Sequence, residues 1–165
     1  MTWSILVRDP TTGALGAAVA TRFFAVGAIC IFVEGGVAAL ATQALVNPMY
    51  AVKGMPRLRA GEAPADVAAA LLAEDDGRAT RQLHILDASG RMAQHSGGDC
   101  VTWFGHVGGA DVSVAGNMLA GPQVVQRTLE AWTASTGPMG WYRTELWPAP
   151  ASTISAASSR SPCSA

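Results

Sequence analysis

The residue next to the initiator methionine carries a hydroxyl group in a position where it could act as a catalyst. The chain begins MTWSILVRDP, so removal of Met1 would make Thr2 the first residue. Its hydroxyl would then lie beside its own α-amine, whose free pKa is about 7.7–8.0, and this amine can accept the hydroxyl proton directly or through a water. Nucleophile and general base would thus belong to one residue. Methionine aminopeptidases remove Met1 when the second residue is small, as threonine is.

Thr2 also has an ordinary structural interpretation, because threonine favours β-strands and residues 2–7 are apolar and partly β-branched. Side chains two positions apart lie on the same face of a strand, so Ser4 is predicted to share a face with Thr2. From there Ser4 could line a pocket and hydrogen-bond the amine, or it could bond a neighbouring strand.

Three histidines recur at intervals of eleven residues, at His84, His95 and His106. If the Ser89-Gly90 turn is two residues long, His84 faces His95 across a hairpin. Three histidines on neighbouring strands can hold zinc with one open position. However, no carboxylate-rich motif accompanies them and HExxH is absent, so hydrogen-bonded core or surface histidines are the favoured interpretation, and no metal is predicted.

A cysteine–histidine pair is a further alternative, formed by Cys100 and His95. The GGDC segment is typical of a loop, and nothing in the sequence around it lowers the thiol pKa. A phosphate-binding loop is also disfavoured, because GGVAALATQA lacks the lysine and the strand–loop–helix order of a P-loop.

Composition excludes several classes of partner. The 165 residues are 50% hydrophobic and 14% charged, with a formal net charge of −1, so no binding of nucleic acid or of an anionic membrane is predicted. The longest apolar stretch, residues 23–33, is too short for a membrane span, and the N-terminus has no signal-peptide pattern. The three cysteines are widely spaced and form no disulfide framework; a cytoplasmic location and a buried Cys30 are therefore predicted.

Hydrophobic patterning predicts strands, then helices, then strands, then a helix. The first 44 residues are predicted to form a four-strand meander, with strands at 2–7, 14–21, 28–33 and 37–44. Helices are predicted over 47–59, with a break at Gly54 or Pro56, and over 64–74. The remaining elements are predicted strands at 81–87, 91–96, 101–107 and 111–119 and a helix at 123–133. This order indicates an α+β protein with helices stacked on antiparallel sheets.

Four ordered blocks, over about residues 1–127, resemble the DUF1028 family. They are MTWSILVRDPTTGALGAAVATRFFAVGA, GGVAALATQALVNPMY, QLHILDASGRMAQHSGGDCVTWFGH and VAGNMLAGPQVV. That family is grouped by fold with the N-terminal nucleophile (Ntn) hydrolases, so the resemblance implies a four-layer αββα sandwich of antiparallel sheets. It also implies a hydrolase that cleaves a small amide (C–N) bond by acyl transfer to residue 2. The resemblance names no substrate.

The resemblance makes Thr2 the predicted nucleophile, with Ser4, Arg22, Gln43 and Asn117 around it. Arg22 follows the second strand, where related sequences often carry a basic residue. The amides of Gln43 and Asn117 are candidate donors to an oxyanion, although an asparagine there could simply hold a turn. The predicted partner is a small-molecule amide substrate, and no cofactor is predicted.

The last part of the chain differs in composition from the rest. Residues 133–165 are rich in Ser, Pro, Ala and Trp without periodicity, and are predicted to be an irregular tail after a domain of residues 1–132. Members of the family usually continue with further helix and strand, so this tail resembles a truncated or frame-shifted end. Missing elements would expose sheet edges, and a homodimer or higher homo-oligomer is predicted. The alternative to an enzyme is a catalytically silent small-molecule-binding or assembly protein of the same fold, which a retained Met1 would favour.

Overall fold

A computed structural model describes residues 1–135 as two four-stranded antiparallel sheets stacked between helices. The strands of sheet A, in spatial order, are β2 (Leu15–Thr21), β1 (Thr2–Arg8), β8 (Val112–Leu119) and β7 (Trp103–Gly109). Those of sheet B are β3 (Ile31–Glu34), β4 (Ala38–Ala44), β5 (Arg81–Asp87) and β6 (Met92–Ser96). The helices are α1 (Gly27–Cys30), α2 (Met49–Arg59), α3 (Pro64–Ala73) and α4 (Gln123–Ala134), with a 3₁₀ turn at Arg78–Thr80.

Three apolar clusters hold the layers together. The first joins α2 and α3 to the outer face of sheet B, around Leu40 and Leu71. The second joins α4 to the outer face of sheet A, around Val114 and Val125. The third lies between the sheets and is built from small and aliphatic side chains such as Leu6. The predicted α+β class and the αββα order of layers are confirmed.

The turn between β1 and β2 places Thr2 at the opposite end of the hairpin. Asp9 Oδ1 accepts the backbone N–H groups of Thr11 and Thr12 at 2.8 and 3.1 Å, and Gly13 takes a left-handed φ of 72°. This tight turn starts an antiparallel register that pairs Thr2 with Thr21. The predicted hairpin is therefore confirmed.

The segment between β2 and β4 differs from its prediction. Residues 27–30 form α1 and only Ile31–Glu34 form a strand, whereas a strand over 28–33 was predicted. The four-strand meander is also wrong, because the chain crosses from sheet A to sheet B between β2 and β3. A short apolar run fits a buried helix as well as a strand, and periodicity cannot separate the two.

Helix α2 runs through Gly54 and Pro56 without the predicted break. Gly54 allows close packing of two helices, since a Cβ there would lie 3.1 Å from Leu71 Cδ1 and 3.4 Å from Val67 Cγ1. Pro56 removes the hydrogen bond to the carbonyl of Val52, which lies on the exposed side of the helix where water can replace it.

Helix α4 continues to Ala134, two residues past the predicted end of the domain at 132. The predicted tail beyond Ser135, and with it the truncated or frame-shifted end, lies outside the described residues. None of the helices within residues 1–135 has the length and apolar character needed to cross a bilayer.

Candidate active site

Thr2 lies on the wall of a cavity of about 300 Å³ at one end of the sandwich. The cavity is formed where the start of β1, the end of β4 and the start of β5 meet α1 and the loops beside it. The polar side chains on its wall are Thr2, Thr42, Gln43 and Arg81. Two predicted site residues, Thr2 and Gln43, are thus brought to one cavity.

The hydroxyl of Thr2 is oriented by Thr21 on β2. The two Oγ1 atoms lie 3.1 Å apart, and Thr21 Oγ1 donates its proton to the carbonyl oxygen of Met1 at 2.8 Å. Because a hydroxyl has only one proton, Thr21 must accept the hydrogen bond that it shares with Thr2. While Met1 is in place, Thr2 is therefore the donor of this pair.

Met1 itself lies at the surface. Its side chain and backbone are 57% exposed, and its α-ammonium lies 3.3 Å from Met118 Sδ. Met1 is therefore not packed into the core of the sandwich. Excision would remove the carbonyl that accepts the Thr21 proton and would create a free amine at Thr2.

Gln43 is held by partners on both sides of its amide. Its Oε1 accepts from Ser4 Oγ at 2.7 Å, and its Nε2 donates to Gln82 Oε1 at 2.9 Å. These bonds assign the orientation of the amide. The second hydrogen on Nε2 has no partner within residues 1–135, and Gln43 lies on the cavity wall with Thr2.

Ser4 is completely buried between the sheets, two residues along β1 from Thr2. Its hydroxyl donates to Gln43 Oε1 and lies 2.9 Å from His84 Nε2. Ser4 therefore holds Gln43 in place. Among the described residues, Ser4 itself is not part of the cavity wall.

His84 lies at the centre of a buried hydrogen-bond network. Since Ser4 gives its proton to Gln43, His84 Nε2 must donate to Ser4, and Nδ1 accepts from Ser113 Oγ at 2.8 Å. Gln94 Nε2 donates to Ser113 Oγ at 2.9 Å. Burial lowers the pKa of His84 to about 3, so the imidazole is neutral at physiological pH.

The three histidines do not converge. His84 pairs with Gln94 and His95 with Leu83, so these two imidazoles lie on opposite faces of sheet B. The expected facing pair is wrong because the connection has three residues, with Asp87 N–H bonded to Arg91 O and Gly90 at φ 82°; one extra residue shifts the register by one. Within residues 1–135 no three His, Cys, Asp or Glu side chains are grouped to hold a metal.

Cys100 and His95 bond different groups instead of each other. The Cys100 thiol donates to Arg81 O at 3.6 Å, and His95 Nε2 lies 3.0 Å from Arg78 O. Burial raises the pKa of the Cys100 thiol, which opposes formation of a thiolate nucleophile.

Asn117 lies directly opposite Thr2 in the pairing of β1 with β8. It is 2% exposed, and its Oδ1 is buried with no hydrogen-bond partner in the described part of the chain. Buried polar atoms almost always find a partner, so an unsatisfied acceptor beside Thr2 requires an explanation.

The cationic group on the cavity wall is Arg81, whereas Arg22 was predicted. Arg22 is exposed and does not line the cavity within residues 1–135. Arg81 reaches the wall because it pairs with Ala44 at the end of β4. Its Nε donates to Asp75 Oδ2 at 2.9 Å and its Nη1 to Leu45 O at 2.6 Å. Arg81 begins a predicted strand, and no local signal in the sequence marks it as a site residue.

Backbone strain is concentrated around this end of the sandwich. Ala25, Ala44 and Met118 have left-handed φ values of 54°, 69° and 56°. Ala44 lines the cavity, Ala25 precedes the wall residue Val26, and Met118 follows Asn117. Such conformations cost about 1–3 kcal/mol each and tend to occur at functional sites.

Two comparisons relate the chain to known proteins. The model of a family of unknown function, DUF1028, matches residues 2–144. The crystal structure of protein SPO2555 from Silicibacter pomeroyi, assigned to the same family, is similar with a TM-score of 0.80 and 33% sequence identity. The similarity covers 84% of this chain and 64% of that one, so this chain spans less than two thirds of its structural relative. No protein of curated function shows significant similarity.

Proposed function

The chain belongs to the DUF1028 family, whose function is unknown, and we propose that it is an Ntn amidohydrolase that acts on a small amide. The observation that carries this proposal is the position of Thr2 on the cavity wall, with its hydroxyl 3.1 Å from Thr21 Oγ1. In this proposal excision of Met1 converts Thr2 into nucleophile and base together.

The reaction proceeds by acyl transfer. Thr2 Oγ1 bonds to the substrate carbonyl carbon while the α-amine takes the hydroxyl proton. The C–N bond then breaks, the leaving nitrogen takes that proton, and an ester remains on Thr2. A water attacks the ester, its proton returns through the amine to Thr2 Oγ1, and a carboxylic acid leaves. The free N–H of Gln43 Nε2 is the proposed donor to the oxyanion in both steps.

Excision of Met1 also accounts for the unsatisfied acceptor on β8. The new α-amine carries more protons than the peptide N–H that it replaces, and Asn117 Oδ1, on the neighbouring strand, is an acceptor without a partner within residues 1–135. Asn117 therefore holds the amine in this proposal, and Gln43 alone serves as the side-chain donor to the oxyanion.

The second candidate function is a catalytically silent small-molecule-binding or assembly protein of the same fold. It is favoured by the contacts that Met1 makes in the structure. The carbonyl of Met1 accepts the hydroxyl proton of Thr21, and the peptide bond from Met1 leaves Thr2 without a free amine. A chain that keeps Met1 would still have the cavity but no base.

We also propose a cytoplasmic location and a homodimer or higher homo-oligomer. The first is supported by Cys30 and Cys100, which are free, buried thiols in the described residues. The second is supported by Phe24, which is 92% exposed and does not line the cavity beside Thr2.

A removable N-terminal extension separates the two candidate functions. We expect a chain with a protease-cleavable extension before Thr2 to be inactive, and to hydrolyse amides once cleavage leaves Thr2 first. Mass spectrometry checks the terminus, and a panel of small amides and N-acyl amino acids provides the assay. The matched control is a chain with the same extension placed before Met1, so that cleavage leaves Met1 as the first residue. Equal activity before and after cleavage would exclude the free amine from the reaction.

Replacing Thr21 by valine is expected to lower kcat/KM about five- to tenfold, because a hydrogen bond that orients Thr2 is worth about 1 kcal/mol. Valine keeps the shape of threonine, so the fold should persist. Thr21→Ser keeps the hydroxyl and should restore the rate. If serine and valine give the same loss, the hydroxyl of Thr21 has no part in positioning the nucleophile.

A further inference from the structure

The cavity beside Thr2 has a predominantly apolar wall. Its apolar side chains come from the loop before α1, from α1 and from the loop after β4: Phe23, Val26, Ile29, Cys30, Leu45 and Val46. Phe23 and Leu45 remain 64% and 61% exposed, so part of their surface is open to contact by a ligand. Apolar walls with a few placed polar groups are typical of small-molecule sites.

The charge on the wall favours some ligands over others. No Asp, Glu, Lys or His side chain lines the cavity within residues 1–135, and its one ionised group is Arg81. Two nitrogens of Arg81 are held by Asp75 and the carbonyl of Leu45, so its position is fixed. The ion pair with Asp75 balances the charge of Arg81, and the described wall carries no carboxylate for a cation, so the cavity favours an uncharged ligand.

The size of the cavity limits the ligand. A volume of about 300 Å³ corresponds to about ten times the volume that a water molecule takes in the liquid. The cavity therefore has room for about ten non-hydrogen atoms.

We propose that this cavity binds an uncharged apolar acyl group, and that the substrates are amides of medium-chain or aromatic carboxylic acids. The proposal rests on the proposed function, because it takes Thr2 as the residue that meets the amide carbonyl. The acyl chain lies against α1 and the loop after β4, and the leaving amine faces the open side of the cavity.

A chain-length series tests the proposal independently of catalysis. Binding of primary n-alkanamides from butanamide to decanamide is measured by calorimetry on the Thr2→Ala chain, which retains the cavity and lacks the nucleophile. Each added methylene should tighten binding about fourfold, up to octanamide with its ten non-hydrogen atoms, and then stop. Hexylammonium should bind more weakly than hexanamide. An affinity that does not depend on chain length would overturn the proposal.

Charged substitutions on the wall provide the second measurement. Val26→Asp, placed on the Thr2→Ala chain, should weaken octanamide at least tenfold, and aspartate is tolerated there because Val26 is only partly buried. Val52→Asp is the matched control, since Val52 is 61% exposed on α2 and lies outside the cavity. If Val26→Asp fails to fold, Leu45→Asp replaces it. Equal affinity in the wall and control variants would overturn the proposal.

The two proposals fail in different ways. A chain-length dependence in Thr2→Ala without hydrolysis by the wild type would support the acyl cavity and refute the Ntn activity. Hydrolysis by the wild type with no chain-length dependence would support the Ntn activity and refute the acyl cavity.

Discussion

Replacing Thr2 by alanine is expected to abolish amide hydrolysis while the protein remains folded. The substitution removes the attacking oxygen and leaves the α-amine, so kcat/KM should fall on the order of 10³-fold or more. Thr2 is only partly buried, and within residues 1–135 the side-chain hydrogen bond that it loses is the one to Thr21, so the cost in stability should be about 1 kcal/mol. Steady-state kinetics on protein whose terminus has been verified by mass spectrometry measures the effect.

Thr2→Ser is the matched control for this experiment. Serine supplies a hydroxyl at the same position and, like alanine and threonine, is small enough for Met1 to be removed. We expect it to retain a substantial part of the activity. The rate of the active forms should also rise as the pH passes through about 7–8, where a free α-amine loses its proton. If Thr2→Ala is as active as the wild type, residue 2 is not the nucleophile.

Acid is expected to destabilise the folded protein through His84. Burial lowers the pKa of this imidazole from 6.5 to about 3 in the folded state. Between these two pKa values the unfolded chain therefore binds a proton that the folded chain does not. The contribution of the neutral His84 to the free energy of unfolding is intact above pH 6.5 and is lost as the pH falls towards 3. The loss is about 1.4 kcal/mol per pH unit, or about 2–3 kcal/mol between pH 6.5 and 4.5.

Urea unfolding of wild type and His84→Gln at several pH values measures this effect. The glutamine variant should be less stable at neutral pH, because it disturbs the hydrogen bonds to Ser4 and Ser113. The slope of its free energy of unfolding against pH should be smaller than that of the wild type by the equivalent of about one proton. Ser113→Ala is the control, since it removes a partner and keeps the imidazole; its slope should match the wild type. Parallel pH dependence in wild type and His84→Gln would show that His84 is not the responsible group.

Much of the local structure could be read from the sequence, because the signals that specify it are local. The Asp9 turn and its glycine predicted the first hairpin. The helices predicted over 47–59 and 64–74 are present at Met49–Arg59 and Pro64–Ala73, the first without its predicted break. The position of Thr2 at the head of β1 also follows from the sequence, as does its face shared with Ser4.

Other features depend on choices between nearly equal local alternatives. Residues 27–30 are apolar enough for a strand or a helix, and in the structure they form a short helix of which only Cys30 is buried. The second hairpin has three residues in its connection where two were expected, and this single residue places His95 on the opposite face of sheet B from His84.

The candidate site itself depended on the tertiary structure. The sequence alone predicted that Thr2 carries its hydroxyl at the start of a strand. Only the stacking of two sheets brought Ser4 against Gln43 and His84, which are 39 and 80 residues away in the chain, and placed Arg81 at the cavity in the position expected of Arg22. Hydrogen bonds between sheets depend on register and on three-dimensional distance, and neither leaves a periodic pattern within one segment of sequence.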